Sequence, residues 1–374
     1  MRIEWATDKK TIKSFIYFPR HLYRNHPNWI PPLWSDERKA YLRHANVMLR
    51  DNDHALFVVK NDDGEIVARC IVYIDAEFNR YYRSNIGFFG AYETIENQLV
   101  SNLVLETCAQ WLRERNIRTL RGPIHPIAES WGFLYDGYES PPVLMAPYNP
   151  PYYHTLVEKY GMRKVKDLYA YEADLDKGYR IPQRIERFTS FLRSKHPELS
   201  TRRIRLENLT DDAQHIWSIS NEALKDNWGY VPVDRSVMND MINRLKLILD
   251  PDAVWFVEDN GKPVGFALGF PDPNPLIRQI GGHLLPTGFI KLLRVKKTAA
   301  RYRLFALAVL PQYHGYGLDV LLYKCLHDAL EKKLGLMEAN YILEDNWNIR
   351  NALEKLQMKY CKTYRIYEMD IASS

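Results

Sequence analysis

The chain has 374 residues, 46% of them apolar and 13% aromatic, and a formal charge of +5 at neutral pH. That length and composition suit two folded domains, each with its own core, and exclude a disordered chain. So small a charge argues against a polycationic nucleic-acid binder, and no run of eighteen uninterrupted apolar residues is present to span a bilayer.

The N-terminal "MRIEWATDKKTIKSF" lacks the apolar segment of a secretory signal. Cys70, Cys108, Cys325 and Cys361 form no CxxC pair and read as small buried thiols of a reducing compartment. The expected location is therefore the cytoplasm, with no membrane partner. After an N-terminal helical stretch, "LFVVKNDDGEIVARC" from Leu56 places two apolar runs around an Asp/Gly turn, a hairpin signature. "NIGFFGAYE" follows as a strand, then "LVSNLVLETCAQWLRERN" as an amphipathic helix with apolar residues three and four apart. "RTLRGP" reads as the next strand, "WGFLYDGYESPP" as an aromatic loop, and "GMRKVKDLYAYE" as a β-rich end.

Much of this order recurs roughly 200 residues later. "NHPNWIPPL" at Asn25 is echoed by "KDNWGYVPV" at Lys225, and the hairpin by "WFVEDNGKPVGFAL" at Trp255. "VEKYGMRKVKDLYAYE" from Val157 is answered by "LEKLQMKYCKTYRIYE" from Leu353. The chain reads as two copies of one α/β fold, residues 1–178 and 179–374. Each copy is expected to hold a mixed sheet, with a helix crossing between strands, beside a hairpin that rules out a purely parallel sheet. The second copy carries an extra loop, "PDPNPLIRQIGGHLLPTGF", suited to shaping a binding face. The basic run "KLLRVKKTAARYR" from Lys291 reads as a flank beside an anionic ligand or as a solvated surface.

In the second copy the strand "YRLFALAVLP" meets the helix from Leu318 through "QYHGYG". Gly315 and Gly317 permit a tight backbone whose amides, with those of the helix start, can surround phosphate oxygens. A plain strand-to-helix turn is the alternative. The spacing matches neither a dinucleotide fingerprint nor a P-loop.

Gln312, Gly315 and Gly317, set between a strand and a helix, resemble the acyl-CoA pyrophosphate loop of the GCN5-related N-acetyltransferase (GNAT) superfamily. "EDNWNIRNALEKLQM" resembles that superfamily's Asn-containing helix, with Asn346 in the Asn position. Over its whole length the chain is similar to a bacterial group with tandem acetyltransferase-like domains, on "NHPNWIPPL", "GFFGAYE" and "ILEDNWNIRNALEK". The resemblance implies tandem GNAT-like domains, each a mixed, mostly antiparallel sheet flanked by helices. It implies acetyl-CoA or another acyl-CoA on Leu307, Ala308, Val309, Leu310, Gln312, Tyr313, His314, Gly315, Tyr316, Gly317 and Asn346. A carboxylate or water would take the proton of the attacking amine, and a strand amide would polarise the thioester carbonyl.

Two departures stand out. The tyrosine that often lies seven residues beyond the Asn is Leu353 here, and Tyr360 lies too far along to replace it. Gln357–Met358 stands where the superfamily has Gly-Phe. The first copy has no glycine turn, and Glu93 and Glu96 would repel a pyrophosphate; it reads as a degenerate domain. Glu344, Asp345 and Glu222 are the candidate catalytic carboxylates, although Asp345 or Asn346 would equally cap the next helix. Trp131, Tyr138, Tyr153 and His283 are candidates for contact with substrate, and core packing is the alternative for Tyr153. No metal-ligand spacing and no GxSxG nucleophile are present. The reading that follows is an N-acyltransferase acting on a small molecule or amino group. A non-catalytic acyl-CoA or small-ligand binder is the alternative. A homodimer is a further expectation; nucleic acid is not expected.

Overall fold

A computed structural model describes residues 1–126, 130–232, 234–286 and 288–372. The chain divides into two compact units. Unit 1 comprises Met1–Leu168, Ile277–Leu284 and the chain from Lys362 onward; unit 2 comprises Tyr169–Leu276 and Leu285–Cys361.

The first repeat runs β1 (Arg2–Trp5), α1 (Lys9–Leu22), α2 (Trp34–Ala40), α3 (Val47–Arg50), β2 (His54–Lys60), β3 (Ile66–Tyr73) and α4 (Ala76–Tyr82). It continues with β4 (Ile86–Thr94), α5 (Gln98–Arg113), β5 (Thr119–Gly122), β6 (Phe133–Asp136), α6 (Tyr152–Tyr160) and β7 (Arg163–Asp174). The second repeat runs α7 (Gln183–Lys195), β8 (Leu199–Arg203), α8 (Leu209–Ala223), α9 (Arg235–Leu245), β9 (Val254–Asp259) and β10 (Lys262–Pro271). Then come α10 (Asn274–Gln279), α11 (Gly288–Thr298), β11 (Arg301–Val309), α12 (Leu318–Leu330), β12 (Leu336–Leu343), α13 (Trp347–Lys355) and β13 (Lys359–Asp370).

In unit 1 the strand order is β1-β2-β3-β4-β5-β13, antiparallel except for the parallel β4–β5 pair. The helix α5 crosses between those two parallel strands, the connection that parallel pairing requires. Its Val100, Val104, Leu105, Cys108 and Leu112 recur at helical spacing and are buried with Phe57, Cys70 and Phe89 from the sheet. Asn97 starts the helix: its Oδ1 accepts from the amides of Leu99 (2.9 Å) and Val100 (3.2 Å). The opposite face of the sheet buries Phe15, Trp34, Tyr41, Val58 and Ile71.

In unit 2 the order is β8-β9-β10-β11-β12, again antiparallel except for the last pair, which α12 connects. The two parallel pairs thus occupy the same place in both repeats, and the mixed, mostly antiparallel sheet is that of the expected fold. The closing strands are shared differently from the sequence order. Tyr169–Asp174 of β7 belongs to unit 2, whereas the Lys362–Asp370 part of β13 belongs to unit 1, pairing there with β5 and β6. Part of the extra loop also belongs to unit 1. Trp34 Nε1 donates to the Gly281 carbonyl (3.0 Å) and the Trp34 amide to the Gly282 carbonyl (3.1 Å). Gly282, at φ 77°, lies so close to the Pro32 carbonyl that a Cβ would sit 2.2 Å from its oxygen.

One expectation is corrected. The basic run from Lys291 is not a single solvated surface, because its last residues form β11, where Arg303 is fully buried.

Candidate active site

Strands β11 and β12 pair in register from Arg301↔Leu336 to Leu304↔Ala339; among the described residues the ladder ends there, although both strands continue. On its other side β11 pairs with β10, and the register slips so that Leu268 faces Ala306 while Gly269 faces Leu304. Phe305 is the extra residue of this bulge. It faces no residue of β10, and β12 has already parted from it. A parted, bulged strand edge presents backbone groups to whatever enters the gap. Phe305, Ala306 and Leu307 on one side and Tyr341, Ile342 and Leu343 on the other are half-buried, as walls of such a gap would be.

The strand then delivers the chain to the glycine turn. The Leu310 amide is held by the Val264 carbonyl (2.9 Å), and His314 Nε2 donates to the Val309 carbonyl (3.0 Å). Tyr313 donates its hydroxyl to Asp259 (2.6 Å), which pushes the phenol up to about 12. Gly315 and Gly317 take φ of 85° and 77°, the left-handed region that side chains resist. Space around Gly315 is open, whereas a Cβ on Gly317 would meet the Phe188 ring at 2.4 Å. Gly317 is also the N-cap of α12 and, among the described residues, no side chain caps that helix. The first-turn amides of α12 therefore face outward with the positive end of the helix dipole, which is a setting for an anion.

Where the strands part lies a group that the sequence reading passes over. Arg303, fully buried, sits opposite buried Glu338 in the parallel register. Its guanidinium lies between the rings of Phe305 (5.0 Å) and Tyr341 (5.1 Å), and Asn340 Nδ2 donates to Glu338 Oε1 (2.7 Å). Arg303 between Tyr302 and Leu304, and Glu338 between Met337 and Ala339, are the signal that could have found them, since isolated charges are not buried without partners.

The sequence profile of the Acetyltransferase (GNAT) family matches residues 213–356, from α8 to the end of α13. Protein YghO of Escherichia coli (strain K12) is 30% identical over 377 residues, covering 97% of this chain and 94% of that protein. The chain belongs to the GNAT family. A bacterial ceramide synthase of Caulobacter vibrioides (strain NA1000 / CB15N) is 29% identical to this GNAT protein over 366 residues, 96% of this chain and 94% of that one. In fold it is similar to a tandem GNAT protein from the clavulanic acid biosynthesis pathway, at a TM-score of 0.61 and 12% identity, with each chain covered completely.

The remaining candidates of this GNAT protein fall in different places. Leu307–Leu310, Gln312–Gly317, Glu344, Asp345, Asn346 and Glu222 are all in unit 2. Asn346 is the N-cap of α13, its Oδ1 accepting from the Ile349 amide (3.2 Å). Glu344 is half-buried, its carbonyl accepting from Arg350 (2.7 Å), while Asp345 is exposed. Glu222 is exposed on the last turn of α8. Trp131, Tyr138, Tyr153 and His283 all belong to unit 1. Tyr153 is fully buried in its core, donating to Glu93 (2.9 Å) and accepting from the Thr94 amide (3.0 Å), so it packs there instead of lining a cleft. The half-buried Tyr138 hydroxyl lies 3.2 Å from His154 Nε2, and His283 is exposed.

Proposed function

We propose that this GNAT protein is an N-acyltransferase whose second unit binds acyl-CoA and passes the acyl group to an amine. The observation that carries the reading is the uncapped α12 N-terminus and its left-handed glycine turn at the end of a strand that parts from its neighbour at a bulge. The residues fit the group: loop and first-turn amides from Gly315 to Leu318 would hold the pyrophosphate, and the free edge of β11 would run beside the pantetheine. When bound, acyl-CoA supplies an acyl group activated as a thioester. The Phe305 amide at the bulge would donate to the carbonyl oxygen as charge builds there. Glu344, Asp345 or Glu222 would accept the amine proton, directly or through water. The amine nitrogen would replace sulfur on the carbonyl carbon, and CoA would leave as its thiol with the proton that the carboxylate or water had taken from the amine.

The test is calorimetric titration of the full chain with acetyl-CoA and a longer acyl-CoA, followed by CoA release over a panel of amines. Because the Caulobacter relative is named for making ceramide, an amide of a long-chain amino alcohol, the panel starts with sphinganine. Gly315→Glu should weaken CoA binding roughly a hundredfold, since a like charge within ~4 Å of a phosphate costs several kcal/mol. Absence of CoA binding by the wild type sinks the reading. A second reading, a binder without turnover, is favoured by Leu353, buried at the position where the superfamily often has its acidic tyrosine. CoA binding without release over the whole panel would select it.

A further inference from the structure

Helix α11 buries Gly288, Leu292 and Val295 on one stripe. Its other side is unusually apolar for a surface: Phe289 is 44% exposed, Ile290 55% and Leu293 38%, with Leu285 82% exposed in the turn just before it. At about 100° per residue, Phe289, Ile290 and Leu293 share one sector. Arg294 and Lys291 flank that sector on one side and Lys296 on the other, with Lys297 at its C-terminal end. Among the described residues none of these four cations has an ion pair, and the chain has no Asp or Glu between Asp272 and Asp319. Exposed apolar side chains bordered by unpaired cations are the composition of a helix that lies in a membrane interface.

We infer that α11 and the Leu285 turn form a docking surface for an anionic lipid bilayer. Leu285, Phe289, Ile290 and Leu293 enter the headgroup boundary, and the cations meet the negative surface charge. Charge complementarity selects this occupant. A second copy of the same face would set cations against cations, and a nucleic acid would leave four apolar side chains with nothing to gain. With eleven residues α11 is far too short to cross, and no helix among the described residues is long and apolar enough to do so. The sequence expectation of no membrane partner rests on that missing span, which an interfacial helix does not need. The inference is independent of acyl transfer, because it requires neither CoA nor an acceptor.

The test is co-sedimentation of the full chain, without CoA, with vesicles of mixed phosphatidylglycerol and phosphatidylcholine and with vesicles of phosphatidylcholine alone. Binding to the anionic vesicles only is expected. Lys291→Glu/Arg294→Glu should lower the partition at least tenfold, each cation contributing about fivefold before reversal. Phe289→Ser/Ile290→Ser should lower it comparably, and both variants should keep the wild-type melting temperature because these side chains are on the surface. No binding to anionic vesicles overturns the inference. So does binding that ignores the Phe289/Ile290 change, which would reduce it to attraction for any polyanion, or equal retention on duplex RNA. None of these outcomes depends on whether CoA binds.

Discussion

The two units carry the same strand pair and treat it in opposite ways. In unit 1, β4 and β5 pair from Ile86↔Thr119 to Phe88↔Arg121 and then part, and β4 bulges against β3 between Gly90 and Glu93. The gap is filled by the chain itself. The Ile124 amide donates to the Phe89 carbonyl (2.8 Å), and the Ala91 amide, at the bulge, donates to His125 Nε2 (3.2 Å). Burial and the nearby Arg69 charge push His125 down to about 3, so its Nε2 stays a neutral acceptor. In unit 2 the corresponding bulge residue is Phe305, and α12 begins at a glycine where α5 begins at a capping asparagine. One repeat has closed the places where the other has left backbone donors open. A shared fold does not carry a shared set of open backbone donors.

The largest expected effect tests the floor of the open gap. Arg303→Leu removes the cation facing buried Glu338 and should cost about 3–5 kcal/mol, as breaking a buried charge pair does. Denaturant unfolding followed by Trp fluorescence measures it. A loss under about 1 kcal/mol would mean that buried Glu338 does not rely on Arg303 as its counter-charge.

The closed gap has its own signature in pH. Glu93 is pushed up to about 7, chiefly by burial, despite Arg69 and the hydroxyls of Tyr23 and Tyr153 beside it; Glu37 in the same cluster is also raised. Glu93 takes up a proton on folding between pH 4.5 and 7. Its contribution is therefore whole below 4.5 and lost as pH rises through 7. His125 does the reverse: its contribution is whole above 6.5 and lost as pH falls toward 3. Wild type minus Glu93→Gln should thus fall by about 1.4 kcal/mol per pH unit between 4.5 and 7, and wild type minus His125→Asn should rise with pH below 6.5 by a similar slope. Flat difference curves from urea melts would show that both groups reach solvent and that the gap in unit 1 is not sealed.

How much of this was legible depends on whether a feature is written locally. The hairpins β2–β3 and β9–β10, the helices α5 and α12 and the glycine turn are each set by a short run of residues, and their repetition exposed the architecture. The bulges and the parting of the strands are properties of register between separate segments, 19 residues apart for Ile71 and Gly90 and 35 for Leu304 and Ala339. No residue in β11 announces them. His125 reads as one histidine in a proline-flanked loop, and its contact with the Ala91 amide exists only once β4 has bulged. Arg303 was misread because it follows a run of surface cations, and only the change from helix to strand at Arg301 buries it. The sequence reads Gly281–Gly282 only as part of an added loop suited to a binding face, and does not show that the turn is fixed against Pro32 and Trp34.

The smallest effect is the most discriminating for the difference between helix starts. Asn97→Ala removes the cap of α5 and should cost about 1 kcal/mol, the usual worth of an N-cap side chain. It frees the same first-turn amides that α12 presents. They should still not take a pyrophosphate, because exposed Glu96 stands one residue earlier and no left-handed glycine brings the backbone round an anion. Calorimetry of the variant should therefore give one CoA per chain, with unchanged affinity. A second equivalent would show that the cap alone had kept unit 1 closed, and that His125 and the missing glycines are incidental to the difference between the repeats.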